Sequence, residues 1–396
     1  MLRKRSLTAS VAIALVLGVV AGVVFGESAV PFVRPLGQIY LNLIKTVVIP
    51  VVTLSIVLGV VSLQDIHKVG KLGLRTLLFF LVTTAVAVTL GLLLANVFQV
   101  GVGFQPTAQP DVQVQSPDFS QTLVNIFPSN IIEPFVQGNM LPVIVIALGI
   151  GFGILLAGET GRRLIPGAEA LNQVFLKIMD LVIRLSPIGV FALMLPVVAE
   201  QGAGVLLPLF GLVAVCYLSY GVHVLLVYGS AVKWLGKTSL KRFFKEMGKP
   251  ILFGFSSASS VGALPFNLEA TKRLGVPEEI SGFVLPLGTT INMDGTAIYQ
   301  GVCVIFIARA FGVELSFAQQ LSVVLTSVLA SIGTAGAPGS GMIMLAMVLQ
   351  SAGLPVEGIA LVAGIDRILD MGRTAVNITG DAACSIVVQA GLKKKS

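Results

Sequence analysis

The chain is poor in charged residues, histidine and cysteine. Only 11% of its 396 residues are charged, against about 25% in soluble domains, which excludes a soluble globular protein. The three cysteines, Cys216, Cys303 and Cys384, lie in apolar runs without metal-ligand spacing, so we expect no structural disulfide. The two histidines are isolated, and we expect His67 in a loop and His223 as a satisfied residue of a membrane helix.

Apolar residues make up 55% of the chain, and the mean hydropathy is +0.95. They form runs of about 20 residues, the length that crosses a bilayer as a helix and twice that of a barrel strand. The first run is too long and continuous for a cleaved signal peptide. The sequence therefore predicts an all-α polytopic membrane protein. The first spans are predicted at 7–26, 37–63, 73–99, 139–158, 170–199 and 205–232.

The net charge of +7 reflects topology rather than a nucleic-acid partner. Basic residues cluster in alternate segments, such as 233–249 and 393–395, whereas 99–121 and 200–204 hold almost none. Cytoplasmic segments of membrane proteins carry an excess of lysine and arginine. The pattern predicts that both termini are cytoplasmic and indicates no nucleic acid as a partner.

After residue 250 the apolar segments become interrupted. The stretch 251–268 contains the serine-rich segment 256–260 and has basic residues on both sides. Its arms of about 8–10 residues span only half of the roughly 30 Å hydrocarbon core at 1.5 Å per residue. We therefore predict a re-entrant hairpin, the first hairpin, that enters and leaves on the cytoplasmic side.

A broken span and a second hairpin follow. The span 279–309 carries Gly, Asn and Asp residues at mid-depth, which favour a local unwinding. The stretch 318–350, the second hairpin, has a glycine-rich tip and flanks without basic residues, so it is predicted to enter from outside. Such inverted repeats of discontinuous elements mark a midplane site in secondary transporters. Hairpin tips can offer helix N-termini to an anion, and free carbonyls with Asp294 and Asp381 suit a hard cation.

The last apolar stretch carries a polar face. Asp366, Asp370, Arg373, Asn377 and Asp381 recur at intervals of three or four residues, which places them on one side of a helix. Each charged side chain at mid-membrane costs about 2.5–3.5 kcal/mol. Such a face must look into protein, bound ions or water, which predicts a binding site. A network of paired charges that only stabilises the bundle is the alternative.

Three segments resemble a known family. Asn292-Met-Asp-Gly-Thr296, Gly333-Thr-Ala-Gly-Ala-Pro-Gly339 and the stretch from Asp366 to Asp381, in this order, resemble the glutamate transporter family, the dicarboxylate/amino acid:cation symporters. The likeness extends over essentially the whole chain and is to prokaryotic sodium–aspartate symporters. It implies eight transmembrane helices plus two re-entrant helical hairpins with inverted repeats, assembled as a homotrimer in the cell (inner) membrane.

The resemblance also implies a division into a fixed scaffold and a moving transport domain. Residues 1–72 would hold scaffold helices 1 and 2, and residues 101–204 an external loop with scaffold helices 4 and 5. Residues 73–100 would form helix 3 of the transport domain. Residues 205–396 would supply the rest of that domain: helix 6, the first hairpin, helix 7, the second hairpin and helix 8.

The resemblance implies the substrate residues as well. Arg373 would hold the substrate's side-chain carboxylate, bidentately, as a planar guanidinium can. Asp370 would receive the ammonium, Thr374 and Asn377 would add hydrogen bonds, and the hairpin tips would donate to the α-carboxylate. The full set implied is Ser259, Ser260, Thr296, Gly336, Asp370, Arg373, Thr374 and Asn377.

Sodium ions are the coupling cations that the resemblance implies, with the proton as the alternative. Three sets of residues would bind them. The first is Gly288, Asn292, Asn377 and Asp381; the second is Thr290, Ser331, Ile332 and Thr334; the third is Thr83, Thr84, Asn292 and Asp294.

Asp370 and Arg373 together favour a substrate with two carboxylates and an amine. A plain dicarboxylate would be repelled by Asp370, and a neutral amino acid would leave Arg373 unpaired, at several kcal/mol. The sequence therefore predicts a secondary active transporter, not an enzyme, that imports L-aspartate or L-glutamate with sodium by alternating access.

Other functions remain open at this point. A proton-coupled glutamate or C4-dicarboxylate symporter and an anion channel are the alternatives. A membrane-embedded serine hydrolase is disfavoured, because no histidine lies near the serine run.

The sequence departs from its family at two positions. Many prokaryotic members that this chain resembles carry an arginine where Ala258 stands, and animal members carry one where Met371 stands. Because this chain has neither, we expect less positive charge beside Asp366 and Asp370. Substrate binding should then differ in strength and kinetics, with the fold unchanged.

Overall fold

The computed structural model describes residues 7–62, 71–103, 124, 127–137, 140–202, 204, 206–332 and 340–393. Within these ranges the regular structure is entirely helical, and five helices are long and apolar enough to cross a membrane. A sixth is added if the bent pair Pro142–Leu156 and Glu159–Met179 is one span. The all-α polytopic class is confirmed, whereas the count of eight spans and two re-entrant hairpins stays a prediction.

Two helices of the N-terminal half differ from the predicted spans. The second begins at Val30, before the predicted 37, and the predicted span 170–199 is divided at Leu185. Pro187 explains the division, since proline lacks a backbone N–H and is accommodated in the first turn of a new helix. The helices are α1 (Leu7–Phe25), α2 (Val30–Ser62), α3 (Lys71–Val97), α4 (Met140–Leu156), α5 (Ile165–Arg184) and α6 (Ser186–Gln201), with short helices at Glu133–Gln137 and Glu159–Arg162 and a 3-10 turn at Gly26–Ala29.

The C-terminal half is a series of closely spaced helices. They are α7 (Leu206–Val222), continued by π-helical His223–Tyr228 and Ala231–Leu235, then α8 (Leu240–Ser257), α9 (Ser260–Arg273), α10 (Glu278–Ile291), α11 (Asp294–Ala310), α12 (Phe317–Ser331), α13 (Ser340–Ser351) and α14 (Asp366–Lys393). A 3-10 turn at Val356–Gly358 and a short helix at Ile359–Ala363 precede α14.

Two of the interruptions predicted in this half are present in the described residues, and the third, the glycine-rich tip at 333–339, lies outside them. The left-handed backbone of Ala258 (φ 52°) ends α8, and Ser259 begins α9 by accepting a hydrogen bond from the Gly262 N–H. The predicted break in the span 279–309 is confirmed: α10 ends at Ile291, Asn292 is extended, and α11 starts at Asp294.

Helix α11 lies at the centre of the molecule. Its residues from Asp294 to Ala308 are almost all buried. Two glycines allow it to cross α3 at very short range. A methyl group on Gly91 would lie 2.6 Å from the Ile298 carbonyl oxygen, and one on Gly301 would lie 2.8 Å from the Val88 carbonyl oxygen. Helix α14 also packs on α11, so the polar face of α14 and the polar start of α11 meet in the interior.

Candidate functional site

Arg373 is the largest fully buried side chain of the described chain. Its side chain is 1% exposed, with Nη1 2.9 Å from Asp366 Oδ1 and Nη2 2.8 Å from Asp370 Oδ1. The guanidinium carbon lies 4.2 Å from the centre of the Tyr299 ring, within the range of a cation–π contact. Gly341, in the first turn of α13, lies against the guanidinium so closely that any side chain would collide with it. Two carboxylates, an aromatic face and a helix start thus enclose this cation.

The polar face predicted on α14 is directed into the protein. Asp366, Asp370, Arg373, Asn377 and Asp381 are each no more than 6% exposed. The three- and four-residue spacing therefore places these groups together on the protein-facing side of α14. Buried charges are tolerated when they are paired, and Arg373 forms ion pairs with Asp366 and Asp370. Its Nη1 donates to Asp366, whereas its Nε and Nη2 have no hydrogen-bond partner among the described residues.

Arg367 places a second guanidinium beside Asp370. Its Nη1 lies 3.5 Å from Asp370 Oδ2, and its Nη2 donates to the Ser257 carbonyl at 3.3 Å. Ser257 is the last residue of α8 and immediately precedes Ala258. Asp370 therefore has a second guanidinium beside it, which α14 itself supplies and which also contacts the end of α8. The expected difference from family members in substrate binding stays a prediction. The pair with Asp370 joins residues three positions apart on α14, whereas the contact with Ser257 joins residues 110 positions apart and was not predicted from the sequence.

The first predicted cation set is brought together around Asp381. Asn292 Nδ2 donates to Asp381 Oδ1 at 2.8 Å and to the Asn377 carbonyl at 2.7 Å. The Gly295 N–H donates to Asn377 Oδ1 at 2.8 Å, and the backbone of Gly288 lies directly against the Asp381 carboxylate.

Two buried oxygens of this cluster have no hydrogen-bond partner among the described residues: Asp381 Oδ2 and Asn292 Oδ1. A buried acceptor left unpaired costs about 1–3 kcal/mol, and more for a charged group. Carboxylate and amide oxygens are the ligands that hard cations prefer. The chemistry of this donor set therefore fits a small hard cation.

The third predicted set is assembled in part, around Asp294. Thr84 Oγ1 donates to Asp294 Oδ1 at 2.6 Å, whereas Thr83 donates to a carbonyl of its own helix. Asp294 Oδ2 accepts from the Tyr228 hydroxyl at 2.7 Å and lies 3.0 Å from His223 Nε2. All of these side chains are buried.

Sequence analysis did not connect His223 and Tyr228 to Asp294. Both lie in the π-helical continuation of α7, 71 and 66 positions from Asp294, and their only sequence signal is polarity inside an apolar helix. The expectation that His223 is satisfied holds for Nε2, whereas its Nδ1 has no hydrogen-bond partner in the described structure.

The second predicted set is not joined by hydrogen bonds in the described part of the chain. Thr290 donates to the Leu287 carbonyl at 3.0 Å and Ser331 to that of Val328 at 2.7 Å, each within its own helix. Ile332 follows the end of α12. Thr334 and Gly336 lie outside the described residues, so their assignment stays a prediction.

The remaining predicted substrate residues are spread over three helices. Thr374, which follows Arg373 on α14, donates at 3.0 Å to the carbonyl of Asp370, one helical turn earlier. Ser260 is buried in the first turn of α9, behind the cap Ser259, and Thr296 is buried in the first turn of α11 beside Met293. The starts of α11 and α13 lie against Arg373, through Gly295 and Gly341, and helix starts favour the binding of anions.

The formal charges divide the site into two regions. Asp366 and Asp370 balance Arg367 and Arg373 at one end of the polar face. Asp294 and Asp381 are two carboxylates without an arginine or lysine bonded to them in the described structure. One region can exchange its internal ion pairs for those of a charged ligand. The other attracts cations.

The sequence has extensive similarity to known membrane proteins. A family model described as the sodium:dicarboxylate symporter family matches residues 7–390. A proton/sodium-glutamate symport protein of Geobacillus stearothermophilus is 36% identical over 399 residues, which cover 98% of this chain and 94% of the relative. A proton/glutamate-aspartate symporter of Escherichia coli (strain K12) is 34% identical, covering 97% and 92%. A C4-dicarboxylate transport protein of Bacillus subtilis (strain 168) is 32% identical, covering 97% and 93%.

Proposed function

The chain belongs to the sodium:dicarboxylate symporter family, and from that premise we propose that it imports L-aspartate or L-glutamate together with sodium by alternating access. Membership makes it a multi-pass cell-membrane symporter of dicarboxylates or acidic amino acids, and not an enzyme. The particular substrate, the coupling ion, the residues that bind them and a homotrimeric assembly are the proposal.

The observation that supports an acidic amino acid as the substrate is the pairing of Asp370 with two arginines. One oxygen faces Arg373 at 2.8 Å and the other faces Arg367 at 3.5 Å. A substrate carboxylate that takes Arg373 releases the first oxygen of Asp370, which then binds the substrate ammonium. A dicarboxylate without an amine takes Arg373 from Asp370 and offers no cation in return, which costs about 1–3 kcal/mol or more in a buried site. The site formed by Arg373 and Asp370 is therefore matched to a ligand that carries both a carboxylate and an ammonium group.

Charge balance supports coupling to a cation. The Asp366, Asp370, Arg367 and Arg373 group is formally neutral, so an acidic amino acid brings one net negative charge into the interior. Asp294 and Asp381 add two more, and a buried charge without compensation is costly. Cations bound at Asp381 and Asp294 offset this charge, so substrate and cation stabilise each other's binding.

Sodium is proposed at the oxygen cluster of Gly288, Asn292, Asn377 and Asp381 because two of its oxygens are unpaired. The donors around Asp294 would have to reorient before a second ion binds there, since three of them occupy the carboxylate. Proton coupling is the alternative, because carboxylates can also accept protons.

The proposed division into two domains agrees with the packing. Helix α3 packs on α11 and α14, and α1 packs on α6. We assign α3 to the moving domain with the C-terminal helices, and α1, α2 and α4–α6 to the scaffold.

Uptake into proteoliposomes tests the proposed activity. We expect saturable import of labelled L-aspartate when sodium is higher outside at equal pH on both sides, with competition by L-glutamate and much weaker competition by succinate. Sodium replaced by potassium is the control. Uptake driven only by a proton gradient would assign the coupling to protons, equal competition by succinate would indicate a dicarboxylate carrier, and flux linear in concentration would indicate a channel.

Arg367→Ala tests whether the second guanidinium beside Asp370 supports substrate binding. Because the guanidinium holds one oxygen of Asp370 and the Ser257 carbonyl, we expect the KM for aspartate to rise about tenfold, the value of one charge-assisted hydrogen bond. Adding Ala258→Arg to this variant should restore much of the affinity for aspartate, because it supplies a guanidinium from the end of α8 instead of from α14. The exposed Arg163→Ala is the matched control. An unchanged KM in Arg367→Ala would refute the role.

A further inference from the structure

A crevice of about 690 Å³ lies between α3, the π-helical continuation of α7, and α14. This is within the range of about 300–1,000 Å³ for ligand-binding pockets. Its walls are mainly aliphatic, with Leu78, Val82, Val227, Leu235 and Val388 among the lining residues. The proposed substrate cluster around Arg373 does not use it.

Arg75 contributes a guanidinium to this crevice. Its Nη1 is buried without a hydrogen-bond partner among the described residues and lies next to Gly391, where a β-carbon would be 2.8 Å from it. A buried cationic donor without a partner is unfavourable, so the site favours an anion. A guanidinium binds phosphate bidentately. The crevice therefore combines an apolar channel with an anion-binding group.

The helix ends place the crevice on one membrane side. Helix α3 starts at Lys71, the π-helical segment ends at Leu235, and α14 ends at Lys393. The basic residues of these ends mark the cytoplasmic side. Trp234, 70% exposed, also lines the crevice, and tryptophan is enriched at membrane interfaces. Anionic lipids give the cytoplasmic leaflet its negative surface, and basic pockets between membrane helices on this side bind their headgroups.

We propose that this crevice binds an anionic phospholipid of the cytoplasmic leaflet. The headgroup phosphate pairs with Arg75, and an acyl chain lies along the aliphatic wall formed by α3, the α7 continuation and α14. The three helices also carry Thr84, Tyr228 and Asp381 of the proposed cation sites. The lipid is a component of the membrane-embedded protein and is not transported.

Tryptophan fluorescence offers a direct test, since Trp234 is the only tryptophan of the chain. The purified full-length protein in detergent is titrated with phosphatidylglycerol or phosphatidylcholine brominated on the acyl chains, which quench tryptophan on contact. We expect half-quenching at about fivefold lower phosphatidylglycerol than phosphatidylcholine, the effect of one basic side chain on an anionic lipid. Equal midpoints for the two lipids would overturn the proposal.

Four variants separate the site from non-specific attraction. Arg75→Gln should remove the preference and Arg75→Lys should retain most of it, whereas Lys241→Ala, an exposed lysine of α8 outside the crevice, should leave it unchanged. Ala390→Phe fills the crevice and keeps Arg75, so it should reduce quenching by both lipids. A preference that survives Arg75→Gln, or quenching unaltered by Ala390→Phe, contradicts the site. Loss of the preference on adding inorganic phosphate alone would assign Arg75 to a free anion instead.

Discussion

Replacing Arg373 with alanine is expected to abolish aspartate uptake while the protein remains folded. In the proposed complex this guanidinium binds the substrate's side-chain carboxylate in a site where it is 1% exposed. Removing one partner of a buried, hydrogen-bonded charge pair costs about 2–5 kcal/mol, or roughly 30-fold to 4,000-fold in affinity. At that loss, uptake at micromolar aspartate falls below detection.

The comparison with Arg373→Lys shows whether geometry matters as well as charge. Lysine keeps the positive charge but cannot reach two acceptors in the planar arrangement of a guanidinium, so we expect partial, low-affinity uptake. The two variants are measured in proteoliposomes at equal reconstituted amounts, with size-exclusion profiles as the control for folding. Uptake by Arg373→Ala at the wild-type rate and KM would show that this residue does not bind substrate.

Asp294→Asn is expected to raise the half-saturating sodium concentration about tenfold to a hundredfold. The buried carboxylate faces Thr84, Tyr228 and His223, and asparagine replaces one of its oxygens with an amide donor and removes its charge. Hydrogen bonds to charged groups contribute about 1.5–3 kcal/mol, which sets this range. The KM for aspartate measured at saturating sodium should change little.

The control for Asp294→Asn is Glu279→Gln, which removes one negative charge from an exposed position at the start of α10. Both variants are titrated with sodium at fixed aspartate, with ionic strength held constant by choline. A sodium titration of Asp294→Asn that overlays the wild-type curve would remove Asp294 from the cation site. An equal shift in both variants would mean that net charge, rather than this carboxylate, sets the sodium dependence.

The local features of this protein could be predicted from the sequence. The spacing of Asp366, Asp370 and Arg373 identifies one helix face, and the glycine and asparagine content of 288–296 identifies the break between α10 and α11. Both are short-range properties, fixed by helix geometry and by backbone propensity within a few residues.

The contacts between distant segments could not be predicted from the sequence. Arg367 was visible as a charge, but its reach to Ser257 depends on how α14 packs against the end of α8. His223 and Tyr228 meet Asp294 only because a π-helical turn of α7 faces α11. The division at Leu185 was missed for a different reason: hydropathy averages over a whole span and hides the effect of a single proline.

Gly341 has a consequence for the timing of ligand exchange. Because the start of α13 rests directly on the Arg373 guanidinium, no ligand atom can occupy that side until α13 has moved away. If Arg373 binds the substrate as proposed, we expect the rate of association to depend on how often this helix start moves away from the guanidinium. The absence of a side chain at Gly341, which allows this close approach, would then also influence how long a ligand stays bound at Arg373.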